Sequence, residues 1–381
     1  MKSLLIVLLP WIILLAGCGP FSSKARPQPE IFITALWNVQ TMFDAQEDGT
    51  EYADFRESVG WTAEKYAARL TTISGAILQM LKEEIPAGQA SKTQAPDLIA
   101  LTEVENAGVL EDLVGALSKQ GYYWAAFANV GGAPLGLGFI SRLPLLDIKA
   151  HSITIEKDTT PRPVLELRLL VREKPLVFLL CHWKSKVGGD DATEAQRRAS
   201  ARVVQRRLTE LRESEGETPV IVLGDFNENH DDFYRRFNTN ASASMLYALL
   251  PDDPEAAALA ASAPGFLGFP AMTDFLVLSG EKPPEASYFP QEIPALYSPW
   301  EREILDGSYY FRDTWESIDN FLLSDKLFMG SGWSFEDCRV LNKAPFVTSR
   351  GEPNSYSPRS GRGLSDHLPL LLYLRYLPDD V

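Results

Sequence analysis

Cysteine and histidine are scarce in this chain, three and four among 381 residues. The shortage excludes a disulfide framework as the source of stability, and no Cys/His cluster has the spacing of a zinc site. Basic residues are short as well: 36 Lys and Arg stand against 51 Asp and Glu, a formal net charge of −15. An acidic surface repels nucleic acid, whose affinity rests on neutralising phosphates, so strong non-specific DNA binding is excluded. There is no basic tail, no DNA-reading module, no internal repeat and no linker that would divide the chain. One long apolar run exists, over residues 4–15, and it is short for a spanning helix.

That run follows Lys2 and ends in Leu15-Ala16-Gly17-Cys18, the form of a lipoprotein signal with its cysteine acceptor. An uncleaved anchor is the alternative. On this reading residues 1–17 are a signal peptide, Cys18 is the lipidated N-terminus and residues 18–30, with Pro20, Pro27 and Pro29, are a tether. Residues 31–381 form one α/β domain, with insertions expected at 44–61, 231–305 and 344–362. The protein is expected to be exported and membrane-anchored, periplasmic or at the surface of a bacterial cell. Export would permit a Cys181–Cys338 disulfide, although Cys181 lies in an apolar run and reads as a buried free thiol.

Polar oxygens recur at the ends of apolar, β-branched runs. Pro219-Val220-Ile221-Val222-Leu223 leads into Gly224-Asp225-Phe226-Asn227, and strand alternation would put Asp225 and Asn227 on one face. An Asx-type turn closing the strand is the plainer reading of that pair. Similar runs end in Asn38, Glu103 and His182, Asp319 sits inside another, and Ser365-Asp366-His367 answers near the C-terminus. Carboxylate and amide oxygens suit a hard divalent ion, Mg2+ with Mn2+ as substitute, over zinc. Two of the four histidines, His182 and His367, fall at these positions; His151 and His230 read as surface residues. A buried Asp319 is costly unless paired, and His367 is the expected partner. Asn106 precedes a helix expected over residues 108–119, so of Glu103 and Glu105 one is expected as a ligand and the other at the surface or as a cap. Further helices are expected over residues 64–82 and 193–211.

In order and wording these motifs resemble the endonuclease/exonuclease/phosphatase superfamily, which includes deoxyribonuclease I-like nucleases, abasic-site endonucleases, neutral sphingomyelinases and inositol polyphosphate 5-phosphatases. The pieces Thr102-Glu103-Val104-Glu105-Asn106 and Cys181-His182-Trp183-Lys184-Ser185-Lys186 look most like an exported bacterial branch. The resemblance implies a four-layer α/β/β/α sandwich of mixed sheets and a metal-dependent phosphoric ester hydrolase. It places Asn38, Glu103 and Asp366 at the metal. Asp225 would orient or deprotonate the attacking water, Asn227 would bond the phosphoryl group, and His182 would contact phosphate or protonate the leaving oxygen. His367 would stabilise charge on phosphorus, its tautomer fixed by Asp319. Arg142 reads as a structural brace, whereas Arg162 and Lys184 could bind substrate phosphate.

For substrate, the wording favours a nuclease that meets DNA or RNA weakly, through a basic strip of Lys184, Lys186, Arg197 and Arg198. A sphingomyelinase-like or inositol-phosphate phosphoesterase is the second reading, with Tyr288, Tyr297, Trp300, Tyr309 and Tyr310 contacting lipid or simply packing. A catalytically idle binding protein that keeps the fold is the third. No obligate protein partner is evident.

Overall fold

The computed structural model describes residues 11–16, 30–81, 95–155, 161–216, 218–230, 246–249, 276–280, 283–289, 294–302 and 307–378. Cys18, the tether and most of the second insertion lie outside the described residues. In chain order the first strands are β1 (Trp11–Ala16), β2 (Ile31–Met42), β3 (Leu98–Val104), β4 (Trp124–Asn129), β5 (Gly136–Ser141), β6 (Leu145–His151), β7 (Val164–Val171), β8 (Lys174–His182) and β9 (Val220–Asp225). They are followed by β10 (Leu246–Leu249), β11 (Leu276–Ser279), β12 (Ala295–Ser298), β13 (Tyr309–Phe311), β14 (Thr314–Glu316), β15 (Asp319–Leu323), β16 (Gly332–Val340) and β17 (Leu370–Leu377). The α-helices are α1 (Ala63–Ile77), α2 (Ala107–Ala116) and α3 (Asp190–Glu215).

The helices begin where the sequence supplies caps. The Thr62 side chain accepts the Lys65 amide at the start of α1, and Asn106 accepts the Val109 amide at the start of α2. Both α1 and α2 end earlier than the apolar pattern suggested, and α3 runs longer at each end. Among the described residues no helix is long and apolar enough to cross a membrane.

One sheet has the order β1-β4-β5-β3-β2-β17-β16 and the other β10-β11-β12-β15-β9-β8-β7-β6, with β13-β14 as a separate hairpin. Alternation decides which side of each strand is sandwiched. In β9, Ile221 and Leu223 join the core between the sheets, while Val220 and Val222 join the layer beneath α3. In β8, Phe178 and Leu180 face inward, and Val177, Leu179 and Cys181 face α3. On the other outer face, Ile73 and Ile77 of α1 and Leu110 and Leu113 of α2 are buried against the first sheet. The result is the expected helix, sheet, sheet, helix sandwich.

Register then brings polar residues together. The parallel pair β8 and β9 sets His182 beside Asp225, and the antiparallel pair β9 and β15 sets Asp319 opposite Asp225. Two residues on from Leu180, Leu223 and before Phe321, all three share the inward parity. One row at one end of the sandwich therefore carries His182, Asp225 and Asp319. The other sheet supplies β2 and β3, with Asn38 beside Thr102 and Glu103 next in line.

Cys181 and Cys338 are both free thiols, with Cys181 buried and its thiol pushed up to about 12 by burial. The backbone of β1, inside the stretch read as a leader, pairs antiparallel with β4 at the sheet edge.

Candidate active site

Asp225 is the hub of the cleft. Its Oδ1 accepts the Asn227 amide at 2.9 Å and its Oδ2 accepts Asn38 Nδ2 at 3.0 Å. His182 Nε2 and His367 Nε2 lie 3.5 and 4.0 Å from the same Oδ2. These lengths leave both ring nitrogens available to a ligand's oxygens. Burial raises the Asp225 carboxyl well above the usual carboxylate range, and nearby Asp319 adds to this.

The two imidazoles are driven apart electrostatically. Burial holds His182 well below its ordinary value, helped by Arg162, His367 and Lys184, so it is neutral. Burial also opposes charge on His367, but Asp319 outweighs it and lifts the imidazole to about 10. His367 Nδ1 donates to Asp319 Oδ2 at 2.7 Å, which fixes the tautomer and turns Nε2 to the cleft. Ser308 Oγ donates to that same oxygen at 2.6 Å, and Tyr309 stacks on the imidazole with ring centroids 4.5 Å apart. A neutral histidine beside a cationic one is a donor and acceptor pair suited to splitting acid and charge-stabilising roles.

Glu103 and Asp366 complete the acidic side. Glu103 accepts Asn38 Nδ2 at 3.2 Å and the Thr41 amide at 2.8 Å. Asp366 is raised by burial, with a further push from Glu103. Backbone strain concentrates here: Gln40, Thr41, Glu103 and Asn227 take left-handed φ of 50°, 53°, 63° and 51°. Such residues cost roughly 1–3 kcal/mol each and persist where surroundings enforce them. At Thr41 the turn aims the amide at Glu103, and at Gln40 it aims the amide at Asn38 Oδ1, 3.0 Å away.

Glu103 raises the proton affinity of both Asp225 and Asp366, and the three carboxylates offer oxygen donors only, a set that fits a hard divalent cation. Asn38, expected at the metal, donates its Nδ2 to Glu103 and Asp225 and accepts the Gln40 amide at Oδ1, which ties it to both acids. Donor atoms of Asp225, Asp319 and His367 also lie within 4.8 Å of one another, but the Asp319–His367 bond occupies two of them.

Several expectations are corrected. Asn227 does not continue the strand beside Asp225: its left-handed backbone closes an Asx turn, and its Nδ2 donates to the Trp183 carbonyl at 3.2 Å. Arg197 is not part of a basic strip. It is fully buried and bonded to Glu228, Asp190, Glu194 and the Lys184 carbonyl, because it shares the inward face of α3 with Thr193, Ser200, Ala201 and Val204, while Arg202, Arg206 and Arg212 are exposed. Glu105 is buried, accepts the Asp44 amide and stands beside Asp48 and Glu51; burial and these acids push it up to about 8. His151 is half-buried against Glu166 at 2.6 Å. His230 is likewise half-buried, 2.7 Å from Ser317 Oγ and stacked on Trp300. Tyr297 and Trp300 are buried, Trp300 donating to the Asp319 carbonyl behind the site and Tyr297 to the Gly280 carbonyl, so both pack within the fold and neither is exposed to a lipid. Arg142 braces Ala95 and Asp97, as a structural residue would.

Gln40 and Ser308 carry no signal in the sequence, Tyr309 reads there only as a lipid contact or packing residue, and Ser365 only as the neighbour of Asp366. Gln40 Oε1 accepts the amides of Asp366 and Tyr356 and so ties the third insertion to the site. Ser365 Oγ donates to the Asn38 carbonyl at 2.6 Å, and its proximity to Asp366 was the one available signal.

The fold and the cleft together define an α/β sandwich hydrolase with an acidic, two-histidine centre. A family profile described as Endonuclease/Exonuclease/phosphatase family matches residues 33–243, and the chain belongs to that family of phosphoric ester hydrolases. No curated protein matches the chain. Among solved structures, humanized D. rerio TDP2 carrying 14 mutations aligns with a TM-score of 0.50 at 12% identity, over 91% of this chain and 100% of that one. An endonuclease/exonuclease/phosphatase family protein from Bacteroides thetaiotaomicron aligns at 0.48 and 14% identity, over 93% and 100%. The human Nocturnin catalytic domain with bound sulfate aligns at 0.46 and 16%, over 91% and 95%.

Proposed function

We propose that this protein is a metal-dependent phosphodiesterase that cleaves DNA or RNA, held at a bacterial membrane by a lipid on Cys18. The observation that carries the chemistry is the row of His182, Asp225 and Asp319–His367 facing the Glu103 and Asp366 carboxylates across one cleft. Glu103 and Asp366 would hold Mg2+, with Asn38 orienting Glu103. When bound, the ion would neutralise charge on a phosphoryl oxygen. Asp225, its proton affinity raised, is the base that orients and deprotonates the attacking water. His367, cationic and anchored by Asp319, donates from Nε2 to the phosphoryl oxygens as negative charge builds. Neutral His182 offers Nε2 on the same side, for the phosphate or the leaving oxygen. Asn227 shapes the turn that presents Asp225.

The burial of Tyr297, and of Trp300 behind Asp319, supports nucleic acid over lipid as substrate, since it removes two of the aromatics a lipid would meet. Leu15-Ala16-Gly17-Cys18 supports the lipid anchor; processing there would remove β1 and leave β4 at the sheet edge.

The test is release of acid-soluble nucleotide from DNA and RNA by the purified full chain, beside sphingomyelin and inositol phosphates. Nucleotide release that needs Mg2+ and disappears in Asp225→Asn is the expected result. Turnover of lipid or inositol phosphates alone, or activity unaffected by EDTA, would refute the reading. Intact mass of the membrane-extracted protein tests the anchor: a diacylated N-terminal Cys18 is expected, and an unmodified Met1 would refute it.

A further inference from the structure

Arg162 and Lys184 stand at the end of the sandwich where the catalytic row opens. β7 runs antiparallel to β8 with Leu165 opposite Leu180, and β8 closes on His182. Arg162, two residues before β7, and Lys184, two beyond His182, therefore emerge from neighbouring strand ends. Arg162 Nε donates to the Leu135 carbonyl at 3.2 Å, just ahead of β5 in the other sheet. The guanidinium thus spans the two sheets at the mouth of the cleft, and its terminal nitrogens meet no acceptor among the described residues. Among the described residues Lys184 Nζ meets only Ser185 Oγ, at 3.4 Å.

Neither cation has a carboxylate partner among the described residues, although the chain carries fifteen excess negative charges. Several other half-buried or buried arginines here are paired: Arg168 with Glu215, Arg197 with Glu228, Arg207 with Glu166, Arg375 with Glu336. Burial lowers the affinity of Lys184 for a proton and Arg162 lowers it further, and both cations act in the same sense on buried His182. Half-buried like charges gathered without a counter-ion are an arrangement that an anion relieves.

We infer that Arg162 and Lys184 form a second phosphate subsite beside His182, which takes the phosphate next to the scissile one in a nucleotide chain. The inference rests on the phosphoesterase reading and narrows its substrate. A nucleotide chain offers a phosphate on each side of the bond cut. A choline phospholipid offers one phosphate and a fixed positive charge, which this pair repels. An inositol polyphosphate shares the second-phosphate chemistry and must be separated by experiment.

Two readouts on the full chain test it, using wild type, Arg162→Gln and Lys184→Gln. The first is the ratio of kcat/KM for a thymidine tetranucleotide to that for thymidine 5′-p-nitrophenyl phosphate, which has one phosphate. Each variant is expected to lower that ratio about tenfold or more, the worth of a charge-assisted hydrogen bond. The second is anisotropy of a labelled oligothymidylate in EDTA across a salt series, where each variant is expected to flatten the log–log slope by about 0.7. An unchanged ratio with an unchanged slope overturns the subsite while leaving Mg2+-dependent hydrolysis intact. A flattened slope in a protein that hydrolyses nothing supports the subsite and sinks the phosphoesterase reading instead. Inositol hexakisphosphate that outcompetes the oligonucleotide on wild type but not on either variant overturns the assignment to a nucleotide chain.

Discussion

Replacing Gly224 by alanine should be among the costliest additions of a single methyl group near the site. Gly224 lies in β9 with Cys181 of β8 on one side and Asn320 of β15 on the other. A Cβ built there overlaps the Cys181 carbonyl oxygen and falls 2.7 Å from its carbon and 2.9 Å from its nitrogen. All three are backbone atoms, so no side-chain rotation relieves the overlap and the central strands must separate. Overpacking with a backbone shift costs roughly 1–3 kcal/mol. The φ of +146°, which side chains rarely adopt, adds roughly 1–3 kcal/mol more. Together these give a loss of about 4 kcal/mol, a large part of the roughly 5–15 kcal/mol typical of a folded domain. The assay is equilibrium urea unfolding, with Gly75→Ala as the internal control. Gly75 lies within α1 with open space around its Cβ direction, and that variant should gain about 0.5–1 kcal/mol. Activity of Gly224→Ala should fall as well, because Asp225 is the next residue. A Gly224→Ala protein within about 1 kcal/mol of wild type would refute the close strand approach from which the cost is worked.

Asp319→Asn should leave the fold intact but lower kcat about 100-fold or more, since His367 loses the carboxylate that holds it charged and aimed; a drop confined to KM would contradict the role. Glu166 is buried, which alone would raise its carboxyl, yet contacts with His151 and Arg207 lower it to about 2 from an ordinary 4.5. Its stabilisation is therefore full above about pH 4.5 and lost as pH falls towards 2, and Glu166→Gln should cost about 3 kcal/mol at pH 7 and little at pH 2. Equal destabilisation at both pH values, in urea melts, would count against the network. EDTA should abolish hydrolysis, with Mg2+ or Mn2+ restoring it better than Zn2+; the reverse order would mean that the oxygen donor set has been misjudged.

The residues of the cleft were legible because strand ends advertise themselves: an apolar, β-branched run that stops in Asn38, Glu103, His182 or Asp225 is visible in one dimension. The pairing of Asp319 with His367 followed from the cost of burying a lone carboxylate. Local pattern could not say which polar residues sit behind these. Gln40 reaches Asp366 across 326 positions, and Ser308 reaches Asp319 only because a short hairpin folds back on the dyad. Arg197 misled in the opposite sense, since a helix full of arginine looks solvated until its neighbours in space are known to include Glu228. Asn38 reads in the sequence as a metal-site residue, and its bonds to both Glu103 and Asp225 came only with the tertiary structure. Sequence by itself determined the chemistry on offer, the strand runs and the acidic balance, because these depend on residue type and period. Tertiary structure alone decided which side of each strand faces the cleft, which cations stay unpaired and which histidine is charged, because burial and partners set those, and both come from residues far apart in the chain.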